Sequence, residues 1–310
     1  MRPRSRPHAG SRGERAGAAV SNPYNAVPSV AIQLGDLKCR ILDGGRFKLD
    51  GGAMFGIIPK PLWSRLASAD DQNRIDLAMT CLLIETAGRR ILVETGCGDK
   101  FNDKERAIWS ISDHWLLDSL RAGGIEPESI DTVILTHLHF DHAGGSTRHD
   151  ADGNLRPTFP RARYVVQRGE WEDYKSGHFV MTATYRAENL EPLVEAGLLD
   201  LVDGDAEIAP GVAVRKFPGH TRHQQGVILQ GGGLTAVQPA DLMPTSAHLG
   251  LPYNMAYDLL PYENMQNKRR LIEEAAAGGW LMLLAQDPKQ LAYSISRNER
   301  GAYALKPLEP

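Results

Sequence analysis

Three histidines and an aspartate fall within six residues, in the run Thr136-His137-Leu138-His139-Phe140-Asp141-His142 that ends at Ala143-Gly144-Gly145. Imidazole nitrogens mixed with a carboxylate oxygen suit borderline divalent ions such as zinc. The apolar stretch Thr132-Val133-Ile134-Leu135 just before it reads as a buried strand. Residues two apart on an extended strand end point the same way, so His137 and His139 reach one metal. Asp141 and His142 lie beyond the strand, where the chain can turn them toward a second. The glycines are expected to let the backbone bend sharply there.

A rigid sheet must position such residues, and the rest of the sequence supplies one. A hairpin is expected from Leu77–Ile84 to Arg90–Val93 across Ala87-Gly88-Arg89, ending at Glu94-Thr95-Gly96. Further strands fit Leu37–Leu42, closed by a turn signal at Asp43-Gly44-Gly45, and Tyr164–Val166, Leu198–Val202, Val212–Phe217, Val227–Leu229 and Leu234–Val237. Trp280–Leu284 and Leu291–Ile295 complete the strand set, and Gly231-Gly232-Gly233 marks another hairpin. Helices fit Asp113–Arg121, Arg168–Lys175, Leu190–Ala196 and Pro261–Ala277, the last opened by proline and closed by Gly278-Gly279. Residues 176–187 lack periodicity and read as a lid or pocket insertion. Strand after strand ends in a ligand-type residue: His137, His220, Asp241. Strand-rich then helical order in both halves suits an α/β architecture, an αββα sandwich of two mixed sheets with helices on the outer faces.

The 310 residues can bury a sizeable core. A net charge of −3, from 35 basic against 38 acidic residues, gives no field for nucleic acid or an anionic membrane. No apolar run reaches the roughly 18 residues a membrane span needs. Cys39, Cys81 and Cys97 form no CxxC pair; an odd, low count points to free thiols in a reducing, cytoplasmic compartment. Cys81 and Cys97 are expected to pack. Residues 1–24 carry five arginines against one acid, Glu14, and are expected to be a disordered tail ahead of a single domain over 25–310. An organelle transit peptide and a mis-assigned start are the other readings of that tail.

The run from Thr136 to Gly145 resembles the metallo-β-lactamase superfamily of metal-dependent hydrolases, most closely its lactonase-type branch, and the likeness extends over roughly residues 37–290. The resemblance implies that fold and a site for two divalent ions, zinc for preference. It assigns His137, His139 and His220, the last in Pro218-Gly219-His220-Thr221, to a first metal. Asp141 and His142 go to a second, and Asp241 bridges. Glu94 stands where the superfamily has an Asp-Thr-Gly-like turn, implying a supporting role. The sequence departs from the pattern at Gln286, in Leu284-Ala285-Gln286-Asp287, where the last histidine ligand is due. An amide oxygen is a weaker zinc ligand than imidazole, so the second site is expected to be weakened; His248 is a candidate replacement. Gln224 likewise stands where a supporting histidine is common.

The function implied is hydrolysis of a small ester-like substrate, a lactone or other carboxylic ester, by a metal-bound hydroxide. Asp141 orients the nucleophile, and Tyr257 or Tyr253 donates to the developing oxyanion. No Gly-x-Ser-x-Gly elbow supports a serine nucleophile. The alternative, raised by Gln286, is a one-metal binding or sensor protein or an oxygenase-like relative. The partner expected is a small molecule, not nucleic acid or membrane; a homodimer stays open.

Overall fold

The computed structural model describes residues 31–289 and 292–308. The arginine-rich tail lies outside the described residues.

The strands are β1 (Ala31–Leu34), β2 (Leu37–Asp50), β3 (Arg74–Thr86), β4 (Arg89–Val93), β5 (Thr132–Ile134), β6 (Thr147–His149), β7 (Leu155–Pro157), β8 (Arg163–Gln167), β9 (Leu199–Val202), β10 (Ala206–Ala209), β11 (Val212–Lys216), β12 (Gln225–Gly231), β13 (Leu234–Gln238), β14 (Leu281–Leu283), β15 (Ala292–Arg297) and β16 (Tyr303–Pro307). The helices are α1 (Gly51–Phe55), α2 (Lys60–Trp63), α3 (Asp103–Trp109), α4 (Leu116–Ala122), α5 (Phe140–Ala143), α6 (Arg168–Lys175), α7 (Ala187–Glu195) and α8 (Pro261–Gly278).

Two seven-stranded mixed sheets result. The first runs β1-β2-β3-β4-β5-β8-β9, with β4, β5, β8 and β9 parallel; the second runs β10 to β16 in sequence order, with only β13 and β14 parallel. β6 and β7 form a separate hairpin. Leu82 and Ile84 of β3 face the second sheet, packing with Val212, Val227 and Leu229. Cys81 and Leu83 turn outward, to Leu116, Leu117 and Leu120 of α4 and Leu190 and Leu193 of α7. Both faces are buried, which is why this strand reads as a continuous apolar run rather than an alternating one. Leu271, Ile272 and Ala275 of α8 cover the second sheet's outer face. The layers are therefore helix, sheet, sheet, helix.

Several elements differ from expectation for identifiable reasons. Asp43-Gly44-Gly45 is not a turn but a bulge inside β2, where the register with β3 shifts between Asp43 and Arg46. A Cβ on Gly44 would lie 2.5 Å from the Met79 carbonyl, and Gly45 has φ +121°, so both glycines serve the bulge. Helix α4 begins at Leu116 rather than Asp113, because the Asp118 carboxylate accepts the Trp115 N–H at 3.1 Å and closes the start there. Helix α3, capped reciprocally by Asn102 and Glu105, and strands β10 and β16 lie in stretches with weak periodicity. Residues 176–186 carry only turns and bends, in keeping with the insertion expected there.

Candidate metal centre

The strand ends of both sheets meet at one place. His137 follows β5 and His139 caps α5. His220 follows β11, Asp241 lies in a short 3₁₀ turn after β13, and Gln286 follows β14. The Gln225 N–H donates to the Thr136 carbonyl at 2.9 Å and its side chain to Leu135, joining the two sheets beside the histidines.

Three imidazole nitrogens converge. His137 Nε2 stands 3.1 Å from His139 Nδ1, which stands 2.9 Å from His220 Nε2. Nitrogens around a tetrahedral ion at about 2.0–2.1 Å would sit roughly 3.3 Å apart, so the spacing fits one divalent ion. Burial and the neighbouring imidazoles hold His137 and His139 well below the ordinary histidine value; their lone pairs are free for a cation. Burial lowers His220 too, but Asp241 and Asp258 outweigh it and raise that ring. Asp258 Oδ1 lies 3.0 Å from His220 Nδ1, which leaves Nε2 turned to the centre. Asp241 is buried, with Oδ1 lacking a hydrogen-bond partner. That oxygen faces His142; the other, Oδ2, lies 3.4 Å from His220 Nε2, so a carboxylate oxygen stands beside the three imidazoles where a divalent ion would be held.

The second cluster comprises His142, Asp141 and Asp241. His142 Nε2 lies 3.3 Å from Asp141 Oδ2 and 3.4 Å from Asp241 Oδ1, and its Nδ1 lies 3.3 Å from Glu94 Oε1. Burial alone would depress this ring; the three carboxylates push it well above the usual value. Glu94, with φ +65°, thus sits behind His142, and the Thr136 N–H also points at it at 3.3 Å. Gln286 reaches this cluster, but it presents its amide nitrogen rather than the oxygen expected of a weak ligand. Nε2 lies 2.9 Å from Asp141 Oδ2, 3.1 Å from Asp241 Oδ2 and 3.2 Å from His142 Nε2. His137, His139 and His220 thus form one group spaced for a divalent ion; His137, His142 and Asp241 form another, and the Gln286 amide nitrogen lies against two of its members.

His248 is not a replacement ligand. Its ring bonds Thr245 Oγ1 at 2.7 Å and the Met54 carbonyl at 2.9 Å, and stacks on Phe55 with centroids 4.8 Å apart. Tyr253 also packs on Phe55, edge-on at 6.2 Å. Tyr257 does line the cavity over the site and is 41% exposed. Burial of its hydroxyl, with Asp50 and Asp141 nearby, pushes the phenol up to about 12, so it stays a donor at neutral pH. That cavity, about 430 Å³, has His139, Asp141, His220, Asp241 and Gln286 at its floor. Trp109, Phe140, Val180, Met181 and Met255 form apolar wall, with Val180 and Met181 coming from the 176–187 insertion. Cys97 packs with Met79 and Phe101, and burial raises its thiol to about 12.

The chain turns at the glycines through a 3₁₀ turn, Gly144–Ser146, without positive φ at either. Gly144 has an ordinary helical φ of −62°. What it supplies is space: a Cβ there would lie 2.4 Å from the Cys97 carbonyl, and one on Gly145 would lie 2.2 Å from that of Thr95.

Glu170 and Asp258 escaped sequence reasoning. Glu170 is buried behind the histidines, accepting from the Tyr185 hydroxyl and, at 2.8 Å, from Thr221 Oγ1. An acid in the first turn of α6 was visible, but its burial was not. Asp258 lies 38 positions from His220, with no spacing to betray the pair.

Residues 76–285 match the family described as the Metallo-beta-lactamase superfamily. An N-acyl homoserine lactonase of Bacillus cereus is 28% identical over 170 residues, 51% of this chain and 60% of its own length. The N-acyl homoserine lactonase AiiB of Agrobacterium fabrum is 25% identical over 255 residues, covering 74% of this chain and 86% of that protein. The chain thus spans about 60% of the first of these relatives. A probable metal-dependent hydrolase from Staphylococcus aureus superposes with TM-score 0.81 at 29% identity, covering 90% of this chain and 99% of that one. AidC, a dizinc quorum-quenching lactonase in complex with a product, superposes at 0.74 with 18% identity over 92% of this chain and 99% of its own, a likeness of fold alone.

Proposed function

The chain belongs to the metallo-beta-lactamase superfamily, and from that premise we propose that it is a metal-dependent hydrolase of a small carboxylic ester, a lactone for preference. One observation carries the reading: the imidazoles of His137, His139 and His220 and the Asp241 carboxylate converge beneath an apolar-walled cavity. The names of the relatives support the lactone in particular.

His137, His139 and His220, with Asp241 as fourth ligand, would hold the ion. A divalent ion held there supplies Lewis acidity and lowers the pKa of water. The protein does the rest. Asp258 fixes the His220 ring by accepting its Nδ1–H. Asp141 opens onto the cavity floor, where its carboxylate orients the attacking water and holds the proton it gives up. Tyr257, kept protonated, donates to the carbonyl oxygen as it gains charge. The apolar wall binds the hydrocarbon part of the substrate and excludes water from it. Among the described residues no helix is long and apolar enough to cross a membrane, and a small molecule is the partner that the cavity suits.

The test is a panel of lactones and acyclic esters assayed with and without chelation. Turnover lost on chelation and restored by zinc is expected; no turnover of any ester by the metal-loaded protein overturns the reading. Tyr257→Phe should lower kcat by about 10²-fold with little change in KM, the cost of one oxyanion donor. An unchanged kcat would remove Tyr257 from the mechanism.

A further inference from the structure

We propose that the Gln286 carboxamide occupies the place of a second metal, so that this centre binds a single ion. The argument is steric before it is chemical. Gln286 Nε2 stands at hydrogen-bond distance, 2.9–3.2 Å, from Asp141 Oδ2, Asp241 Oδ2 and His142 Nε2. An ion serving those same three groups would need to sit about 2.0–2.2 Å from each, in space the amide nitrogen fills. The side chain cannot easily withdraw. Its backbone N–H donates to the Pro244 carbonyl at 2.9 Å, and its carbonyl accepts from the Ala78 N–H at 3.1 Å. These bonds tie the segment after β14 to the loop after β13 and to β3 of the first sheet.

The amide also answers the charge of the site. Two carboxylates face each other across a buried space, and one NH₂ group offers two N–H donors. Each carboxylate receives one, a neutral substitute for the cation that would otherwise sit between them. Turning the amide over would set Oε1 against both carboxylates, like pole to like pole. The observed orientation leaves Oε1 buried without a partner, a cost that two charge-assisted hydrogen bonds offset. Gln286 is hydrogen-bonded to none of His137, His139 and His220; of the first ion's ligands it reaches Asp241.

This deepens the proposed function and uses the same site, but its test needs no substrate. The full chain is stripped of metal and titrated with Zn²⁺, and binding is read by calorimetry and elemental analysis. One tight equivalent per chain is expected for the wild type. Gln286→His, which exchanges the amide for an imidazole lone pair, should take up a second. Gln286→Ala, which removes the amide without supplying a ligand, should still bind one ion, more weakly as Asp241 loses a hydrogen-bond partner. Two tight equivalents in the wild type overturn the inference. So does Gln286→His holding at one while folded by circular dichroism. If the wild type binds one ion and hydrolyses no ester, the stoichiometry stands and the hydrolase reading fails alone.

Discussion

His220 owes its orientation to one carboxylate. With Asp258 at 3.0 Å from Nδ1, the ring is fixed with Nε2 inward, and loss of such a partner costs about 10–100-fold in metal affinity. Asp258→Asn should therefore weaken Zn²⁺ binding by that factor, measured by competition with a chromogenic chelator; unchanged affinity would mean that packing alone aims the ring. His248 makes a different prediction. Buried and bonded to Thr245 and Met54, it is held down to about 4 against an ordinary 6.5, chiefly by burial. The unfolded chain takes its proton first as pH falls. The stability that this neutral ring contributes is present above pH about 6.5 and is lost progressively as pH falls to about 4, up to roughly 3 kcal/mol. His248→Gln should flatten that part of the stability profile in urea melts. A profile as steep as the wild type's would place the acid sensitivity elsewhere. The ligand-type residues themselves were legible because HxHxDH concentrates them and strand ends deliver His220 and Asp241. Asp258 and Glu170 were not, since their meaning lies in contacts across the sheets rather than in spacing.

At the scale of elements, α8 does more than cover the second sheet. Its Lys268 is fully buried, and its Nζ stands within hydrogen-bond distance, 2.9–3.1 Å, of the carbonyls of His248, Gly250 and Tyr253 and of Asn254 Oδ1. The segment it gathers runs directly into Met255, Tyr257 and Leu259 of the cavity wall. Lys268→Met keeps the stem and removes the donors, leaving several buried acceptors unmet at about 1–3 kcal/mol each. We expect a lower denaturation midpoint with an unchanged m-value, and a raised KM as the wall loosens. Strands with both faces buried were easy to read as apolar runs, and α8 announced itself by Pro261 and Gly278-Gly279. The β2 bulge was misread as a turn, because Asp-Gly-Gly has the same composition whether the chain reverses or only slips register. Strand β16 pairs with β15 over Tyr303–Pro307, yet as an edge strand of mixed polarity it carried little pattern.

Across the whole molecule, two segments distant in sequence are built as one piece. The Glu94–Gly98 turn and the segment from Asp141 to Thr147 share the Thr95 N–H to His142 carbonyl bond at 2.8 Å and the Gly145 N–H to Gly96 carbonyl bond at 2.9 Å. Lys100 Nζ reaches the Gly144 and Thr147 carbonyls, and the glycines admit a backbone approach that any side chain would block. Neither strip can open without breaking the other's amide bonds. In hydrogen–deuterium exchange the amides of Thr95, Gly145 and their neighbours should therefore appear as one cooperative opening unit, with a common opening free energy and a common response to denaturant. Independent exchange of the two strips would show that they merely touch. If they do open together, the floor of the centre is assembled or lost in a single event, and the protein has no state in which half of it persists.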